Sequence, residues 1–474
     1  MSTERRQERP NILCIMSDEH DVGVAGCYGD PVVRTQNLDR LAAEGVTFDA
    51  AYTTSPLCVP ARLSFTAGKY VSRCGAWSND CWLPSDEYPS LPRILNAAGY
   101  ESWLGGKMHY DATRRYGFRD LYDFPHGQNK SVKRGHGERL DPDHLPTGAR
   151  SWAERSAEFY PADDSKVLAK DRAVTKHCGE FLRTRKASDP PFFLLAGYLA
   201  PHFPMIVPEE YAARYRGKVP EPDLPEALIE RLPTNYKALR AGFGLTETDP
   251  DVVRRGRELY WALTDWLDDE IGKLLDALGA SAVAGNTVVI YTSDHGENKG
   301  DHGLWWKNNM YEHAARVPLI VHWPERWAGG QRRNGACSLV DLVQTIAELA
   351  RADAPDDWNG ESMLGYLDDP AVTWRDLAVS EYYGHNICSG FAMFRRGPWK
   401  YVYHCRMNAA HGPERELYNL ADDPKEFVNL AAHPEQSERL SQMHAALVAE
   451  LGREPDEAEA ECRADYARGY GRDA

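Results

Sequence analysis

Apolar residues collect in short runs that each end in a polar cluster. Asn11 to Met16 ends at Ser17-Asp18-Glu19-His20. Tyr100 to Leu104 ends at Gly105-Gly106-Lys107-Met108-His109. Phe192 to Leu199 ends at Ala200-Pro201-His202, and Thr287 to Tyr291 ends at Thr292-Ser293-Asp294-His295-Gly296. Near-continuous apolar runs of this length predict strands buried on both faces, as in parallel sheets covered by helices. Helical patterns lie between them. Gln36 to Gly45 has helical apolar spacing and a closing glycine. Ser90 to Gly99 repeats it, with Ser90 as N-cap, Pro92 in the first turn and Gly99 at the end. The alternation predicts an α/β fold with a large, mainly parallel sheet sandwiched by helices. Ligands of such sheets sit at the carboxyl ends of the strands. All four polar clusters lie on that edge.

The texture changes near residue 375. Residues 378–383, 390–395, 399–403 and 416–420 read as short, half-alternating strands, followed by a helix over 434–451. Two units are therefore expected: a catalytic domain over 1–375, and a C-terminal α+β subdomain over 376–474. The second would be a small antiparallel sheet plus a helix, closing in a polar tail, either solvated or reaching onto a neighbouring subunit.

Composition narrows the function. The chain has 474 residues, 42% hydrophobic and 27% charged, ordinary for a soluble globular protein. No apolar run suits a membrane span, and the charged N-terminus lacks the apolar middle of a secretory signal. A cytoplasmic location is the expectation. Ten scattered cysteines without a Cys-x-x-Cys suit reduced, buried thiols. A net charge of −16 argues against a nucleic-acid surface. It does not exclude an anionic substrate, because a few buried cations can set the sign of one pocket.

Asp18-Glu19 and Asp294-His295 are candidate metal ligands. Acids from two strand ends repel each other unless a cation lies between them. Oxygen ligands with one imidazole suit Ca²⁺, Mg²⁺ or Mn²⁺. Each pair taken singly also fits a helix cap or a surface acid. Lys107, His109, His202 and Lys307 supply cationic groups around the same edge, the donor set a tetrahedral anion needs. Glu381, with Tyr382 and Tyr383 and with tryptophans such as Trp103 and Trp305, is compatible with a quaternary-ammonium cage or with ordinary core aromatics.

The segment Ser55-Pro56-Leu57-Cys58-Val59-Pro60-Ala61-Arg62, closed by Gly68, contains Cys-x-Pro-x-Arg. This resembles the signature of type I sulfatases, formylglycine-dependent members of the alkaline-phosphatase-like superfamily. The resemblance runs nearly the whole length, through Asp18, Gly106-Lys107-Met108-His109, Pro201-His202, Ser293-Asp294-His295-Gly296, Lys307, Trp399-Lys400-Tyr401 and Glu416 to Leu420. Pro56 to Arg62, Gly106 to His109 and Asn79 are similar to choline sulfatases.

The resemblance implies a sulfuric ester hydrolase. Cys58 would be oxidised to formylglycine by a transiently bound generating enzyme, for which Ala61 leaves the core motif intact. Asp18, Asp294, His295 and residue 58 would hold the metal, usually calcium, with Glu19 at a position where the family often has Asp, Gln or Asn. Arg62 would hold the aldehyde hydrate and the sulfate. Lys107, His202 and Lys307 would contact the sulfate oxygens and the leaving group, His109 would act on the second hydroxyl, and Asn79 would contact the substrate; Glu381 is a further substrate-contact candidate from its aromatic neighbours alone. A geminal diol attacks sulfur with one hydroxyl and releases sulfate when the other loses its proton, so no stable ester is left to hydrolyse. The alternative on this scaffold is a phosphonate monoester or phosphodiester hydrolase, a branch that tends to lack the Lys107/His109 pair. The expected partners are a small sulfate ester and, from the many Trp and Tyr residues, a second copy of the chain; neither nucleic acid nor membrane is expected.

Overall fold

The computed structural model describes residues 9–125, 137–147, 151–225 and 227–471. Its main sheet has eight strands. From one edge they are Gln331–Arg333, Val46–Phe48, Leu319–His322, Thr287–Ser293, Asn11–Asp18, Phe192–Pro201, Glu101–Gly106 and Arg119–Asp120. Asn11–Asp18 is central and pairs in parallel with both neighbours, Cys14 lying opposite Leu195 on one side and Ile290 on the other. Leu319–His322 runs antiparallel to Thr287–Ser293, so the sheet is mixed but mainly parallel.

Strand alternation divides the core. Leu13 and Ile15 point into one layer with Leu38, Val174, Leu182 and Leu259, carried by the helices Gln36–Glu44, Lys166–Thr184 and Pro250–Gly279. Ile12, Cys14 and Met16 point into the other, with Leu63, Leu95 and Ile346 from Cys58–Ala67, Leu91–Ala97 and Leu339–Ala350. Each large apolar side chain so buried contributes about 1.5–3 kcal/mol. Ser90 caps its helix as expected, its hydroxyl accepting from the Arg93 amide at 3.4 Å.

The second sheet is antiparallel, in the order Leu377–Tyr382, Phe391–Arg396, Trp399–His404, Glu414–Asn419. The helix Ser437–Leu451 covers it through Met443, Leu447 and Leu451. The Glu381 amide donates to the Thr54 carbonyl at 2.9 Å, which ties this sheet to the segment leading into Cys58. The polar stretch beyond it is folded rather than a free tail. Pro455–Ala467 is a helix that buries Ala458 and Cys462 in the layer holding Trp77 and Tyr383. Glu459 grips Arg139 through two bonds of 2.8 and 2.7 Å, and Asp465 accepts from the Trp77 indole at 2.7 Å. Its polar sequence reflects one narrow buried stripe; the remaining faces are wet.

Candidate active site

Four neighbouring strands deliver their polar ends to one place: Asp18 and Glu19, Lys107, His202, and Asp294 with His295. Consecutive residues of a strand face opposite sides. Glu19 escapes this rule with φ of 68°, a left-handed conformation costing roughly 1–3 kcal/mol in a non-glycine residue, and so both acids reach the same cluster.

Cys58 opens the helix Cys58–Ala67, every residue of which is buried. Leu57 offers no side-chain cap; instead the Asn79 amide oxygen accepts from the Val59 amide at 3.0 Å. Gly68 ends the helix at φ 66°, where an added Cβ would strike Trp358. The closing glycine of the motif is therefore required twice over, by dihedral and by space.

Cys58 Sγ lies 3.1 Å from His295 Nε2 and 3.8 Å from Asp18 Oδ1. His295 Nδ1 donates to the Gly296 carbonyl at 3.0 Å, which leaves Nε2 free to ligate. Arg62, one turn along the helix, has no exposed surface. Its guanidinium forks between Asp294 Oδ2 at 2.7 Å and Asp18 Oδ2 at 2.9 Å, and also donates to the carbonyls of Lys107 and Ser17. Lys107 pairs with Asp18, and Lys307 with Glu19 Oε2 at 2.9 Å. His109 is the exposed member, close enough to Cys58 to favour its ionised form.

Lys307 is fixed by its neighbours. The Trp306 carbonyl accepts from the Asn298 amide at 2.8 Å, the Asn308 amide donates to the Pro56 carbonyl at 3.0 Å, and Asn308 Nδ2 donates to the Tyr382 hydroxyl at 2.9 Å. Asn298 and Asn308 are positioning residues that the sequence did not single out. The only signal is that they flank motif residues.

The donor set fits a hard cation. Asp18, Cys58, Asp294 and His295 each place a ligand atom within 4.8 Å of the others, and Asp18, Glu19 and His202 form a second such group. Glu19 Oε1 is buried without a hydrogen-bond partner. His202 Nδ1 donates to the Phe203 carbonyl at 2.6 Å, so Nε2 faces Glu19 Oε2 at 3.2 Å as a second acceptor. Two acceptors meet only through a proton or a cation.

Burial dominates the electrostatics, and the neighbours decide the outcome. Burial raises Glu19 well above the carboxylate range against the pull of Lys307. It raises Asp294 to about 6 despite Arg62. It lowers His202 to about 4, helped by Lys307, which makes the ring neutral at pH 7. Burial also opposes ionisation of Cys58, but Lys307, His295 and Lys107 outweigh it and hold the thiol well below its ordinary value. Burial raises the other nine cysteines, for example Cys14 to about 12.

Protein bearing a thiol at residue 58 is therefore expected to hold one thiolate well below the pH at which ordinary cysteines ionise. Its ultraviolet thiolate absorbance should persist at pH values where ordinary cysteines are protonated. Because the folded value is depressed, the stability this group contributes is present above the unfolded thiol value and is lost as pH falls through the folded one. Absorbance that disappears at an ordinary cysteine pH would contradict this.

Asn79 holds the start of the Cys58 helix through its amide oxygen. One sequence expectation is corrected. The buried Glu381 carboxylate accepts from the Ser72 amide and the Tyr383 hydroxyl, each at 3.0 Å, and is not brought to the cluster. Trp103 packs on Phe181, and Trp305 on Trp152 and Phe159, so no ammonium cage forms from them.

Residues 10–352 match the sulfatase family model, and residues 300–452 match that of the N-sulphoglucosamine sulphohydrolase C-terminal region. The chain is 30% identical to a choline-sulfatase of Rhizobium meliloti (strain 1021), over 90% of this chain and 83% of the relative. It is 29% identical to the uncharacterized sulfatase YidJ of Escherichia coli (strain K12), over 93% and 87%. Among solved structures it resembles BT4656 in complex with its substrate D-glucosamine-2-N,6-O-disulfate, with TM-score 0.74 and 22% identity, covering 95% of this chain and all of that one. A phosphonate monoester hydrolase of Agrobacterium radiobacter superposes with TM-score 0.72 and 22% identity, over 93% and 95%. The chain thus belongs to the sulfatase family and is a sulfuric ester hydrolase.

Proposed function

We propose that Cys58 becomes formylglycine and that the protein hydrolyses R–O–SO₃⁻ esters with a divalent cation, calcium, held by Asp18, Glu19, Asp294, His295 and residue 58. The observation that carries this reading is the convergence of two acids, an imidazole and Cys58 within 4.8 Å, beside an orphaned Glu19 oxygen. The aldehyde hydrate supplies a nucleophilic oxygen, and the cation supplies positive charge beside it.

The chain's own residues do the rest. Arg62 fixes the two carboxylates and the backbone of Lys107 before any substrate arrives, so little reorganisation is left for the reaction. Lys307, whose proton Cys58 and Glu19 help retain against burial, and Lys107 present point charges to the sulfate oxygens. His202, neutral at pH 7, contacts the sulfate and the departing oxygen. His109, at the exposed mouth beside residue 58, takes the proton from its second hydroxyl; desolvation, helped by Lys107, holds the ring below the ordinary imidazole value, so at neutral pH it is unprotonated and able to accept.

A phosphonate ester hydrolase is the second reading, favoured by the Agrobacterium likeness. The Lys107/His109 pair weighs against it. Side-by-side turnover of phenyl sulfate and phenyl methylphosphonate, each with calcium and with chelator, tests the assignment. Faster sulfate release that falls on chelation is expected. Faster phosphonate hydrolysis, or sulfate release indifferent to chelator, would overturn it.

A further inference from the structure

Arg155 lies beside this cluster and was not marked by any motif. It belongs to the short helix Ser151–Ser156. Its guanidinium sits over the Phe203 ring at 4.3 Å and over the Trp306 ring at 4.3 Å. Both rings adjoin site residues in sequence. Phe203 follows His202 and stacks on its imidazole with centroids 4.2 Å apart. Trp306 precedes Lys307, whose ammonium lies 5.5 Å from the same Phe203 ring. Two cations thus share one aromatic ring, and one of them is a proposed sulfate ligand. Glu19 and Cys58 also act electrostatically on Arg155, which places it within the field of the site.

The partners of Arg155 do not use its donors. A guanidinium offers five in-plane N–H groups, whereas aromatic faces engage only its π surface. Among the described residues, no carboxylate forms an ion pair with Arg155 and no acceptor takes a hydrogen bond from it. The side chain is only half-buried. It is therefore held in a fixed orientation by two rings, beside the site, with its fork unspent. That is a preorganised receptor for a planar or tetrahedral oxyanion. The same placement disfavours a quaternary ammonium, which an unpaired guanidinium repels.

Resting on the sulfatase reading, we propose that Arg155 binds a second anionic group, a carboxylate or a further sulfate, on the sulfate ester, so that the preferred substrates are polyanionic esters such as acidic or multiply sulfated saccharides. The residue is a specificity determinant and takes no part in the chemistry at sulfur.

The test compares kcat/KM for phenyl sulfate, 4-carboxyphenyl sulfate, hydroquinone disulfate and choline sulfate in the wild type, Arg155→Ala and Arg155→Lys. The readout is the ratio of each charged ester to phenyl sulfate, compared between proteins. Leaving-group differences and any general loss of folding cancel in it. Arg155→Ala should lower the ratio for one or both anionic esters about 10- to 100-fold, through KM, and raise it for choline sulfate. Arg155→Lys should retain part of the preference. The carboxylate and disulfate arms show which oxyanion is read. An unchanged ratio for both anionic esters in Arg155→Ala would overturn the assignment with the sulfatase reading intact. Turnover of phenyl methylphosphonate but of none of the sulfates would remove both.

Discussion

Cys58→Ala should lower kcat for phenyl sulfate by roughly 10⁴-fold or more while leaving the fold in place. The side chain lies where His295, Asp18, Lys107 and Lys307 converge, and no other described nucleophile shares that position. A hydroxyl at residue 58 should not restore turnover. Cys58→Ser carries one oxygen where the aldehyde hydrate carries two, and expulsion of sulfate requires the second. A single-turnover measurement should then show at most one equivalent of alcohol released per Cys58→Ser molecule. The two variants should unfold within about 1 kcal/mol of the wild type, because the aldehyde hydrate they replace is neutral and its loss removes only a few contacts. Multiple turnovers by either variant would mean that the nucleophile lies elsewhere.

Arg62→Ala should be the most damaging substitution to stability. The guanidinium is wholly buried and answers two carboxylates and two carbonyls. Removing one partner of such a buried network costs about 3–5 kcal/mol, against total stabilities of about 5–15 kcal/mol. Arg62→Lys should recover only part of this, since an ammonium is a point charge and cannot fork between Asp18 and Asp294. The pH dependence has a definite sign. Burial raises Asp294 to about 6, opposed first by Arg62. Without that opposition the folded value climbs further above the unfolded one. A raised carboxyl stabilises the fold in its protonated form and loses that contribution as pH rises through the folded value. The deficit of Arg62→Ala should therefore be largest at neutral pH and shrink on acidification. Denaturant midpoints between pH 5 and pH 8, taken in chelator, measure it. A constant deficit would contradict the charge argument.

The sheet and most of the site were legible because a parallel sheet converts a linear pattern into a spatial one. Apolar runs ending in Asp18, Lys107, His202 and Asp294 must share the carboxyl edge once the strands are parallel. Misreadings arose where local context outweighed composition. Glu381, amid tyrosines, resembled a cation cage. The period-2 alternation of its strand sends Glu381 and Tyr383 to one side, where they bond each other, while Tyr382 turns to Asn308. Asn79 lies downstream of the motif, and nothing in the sequence showed that its amide oxygen would accept from the uncapped Val59 amide. The stretch beyond residue 452 read as a tail because Ala458 and Cys462 alone carry little apolar signal. Arg155 had no signal at all: a single arginine in a polar helix acquires meaning only from the two rings that hold it.

Mass spectrometry of the peptide spanning Ser55 to Arg62, from protein made in its native host, tests the central claim most directly. An aldehyde at residue 58, present in proportion to specific activity across preparations, is the predicted result. Fully active protein with an intact Cys58 thiol would contradict it.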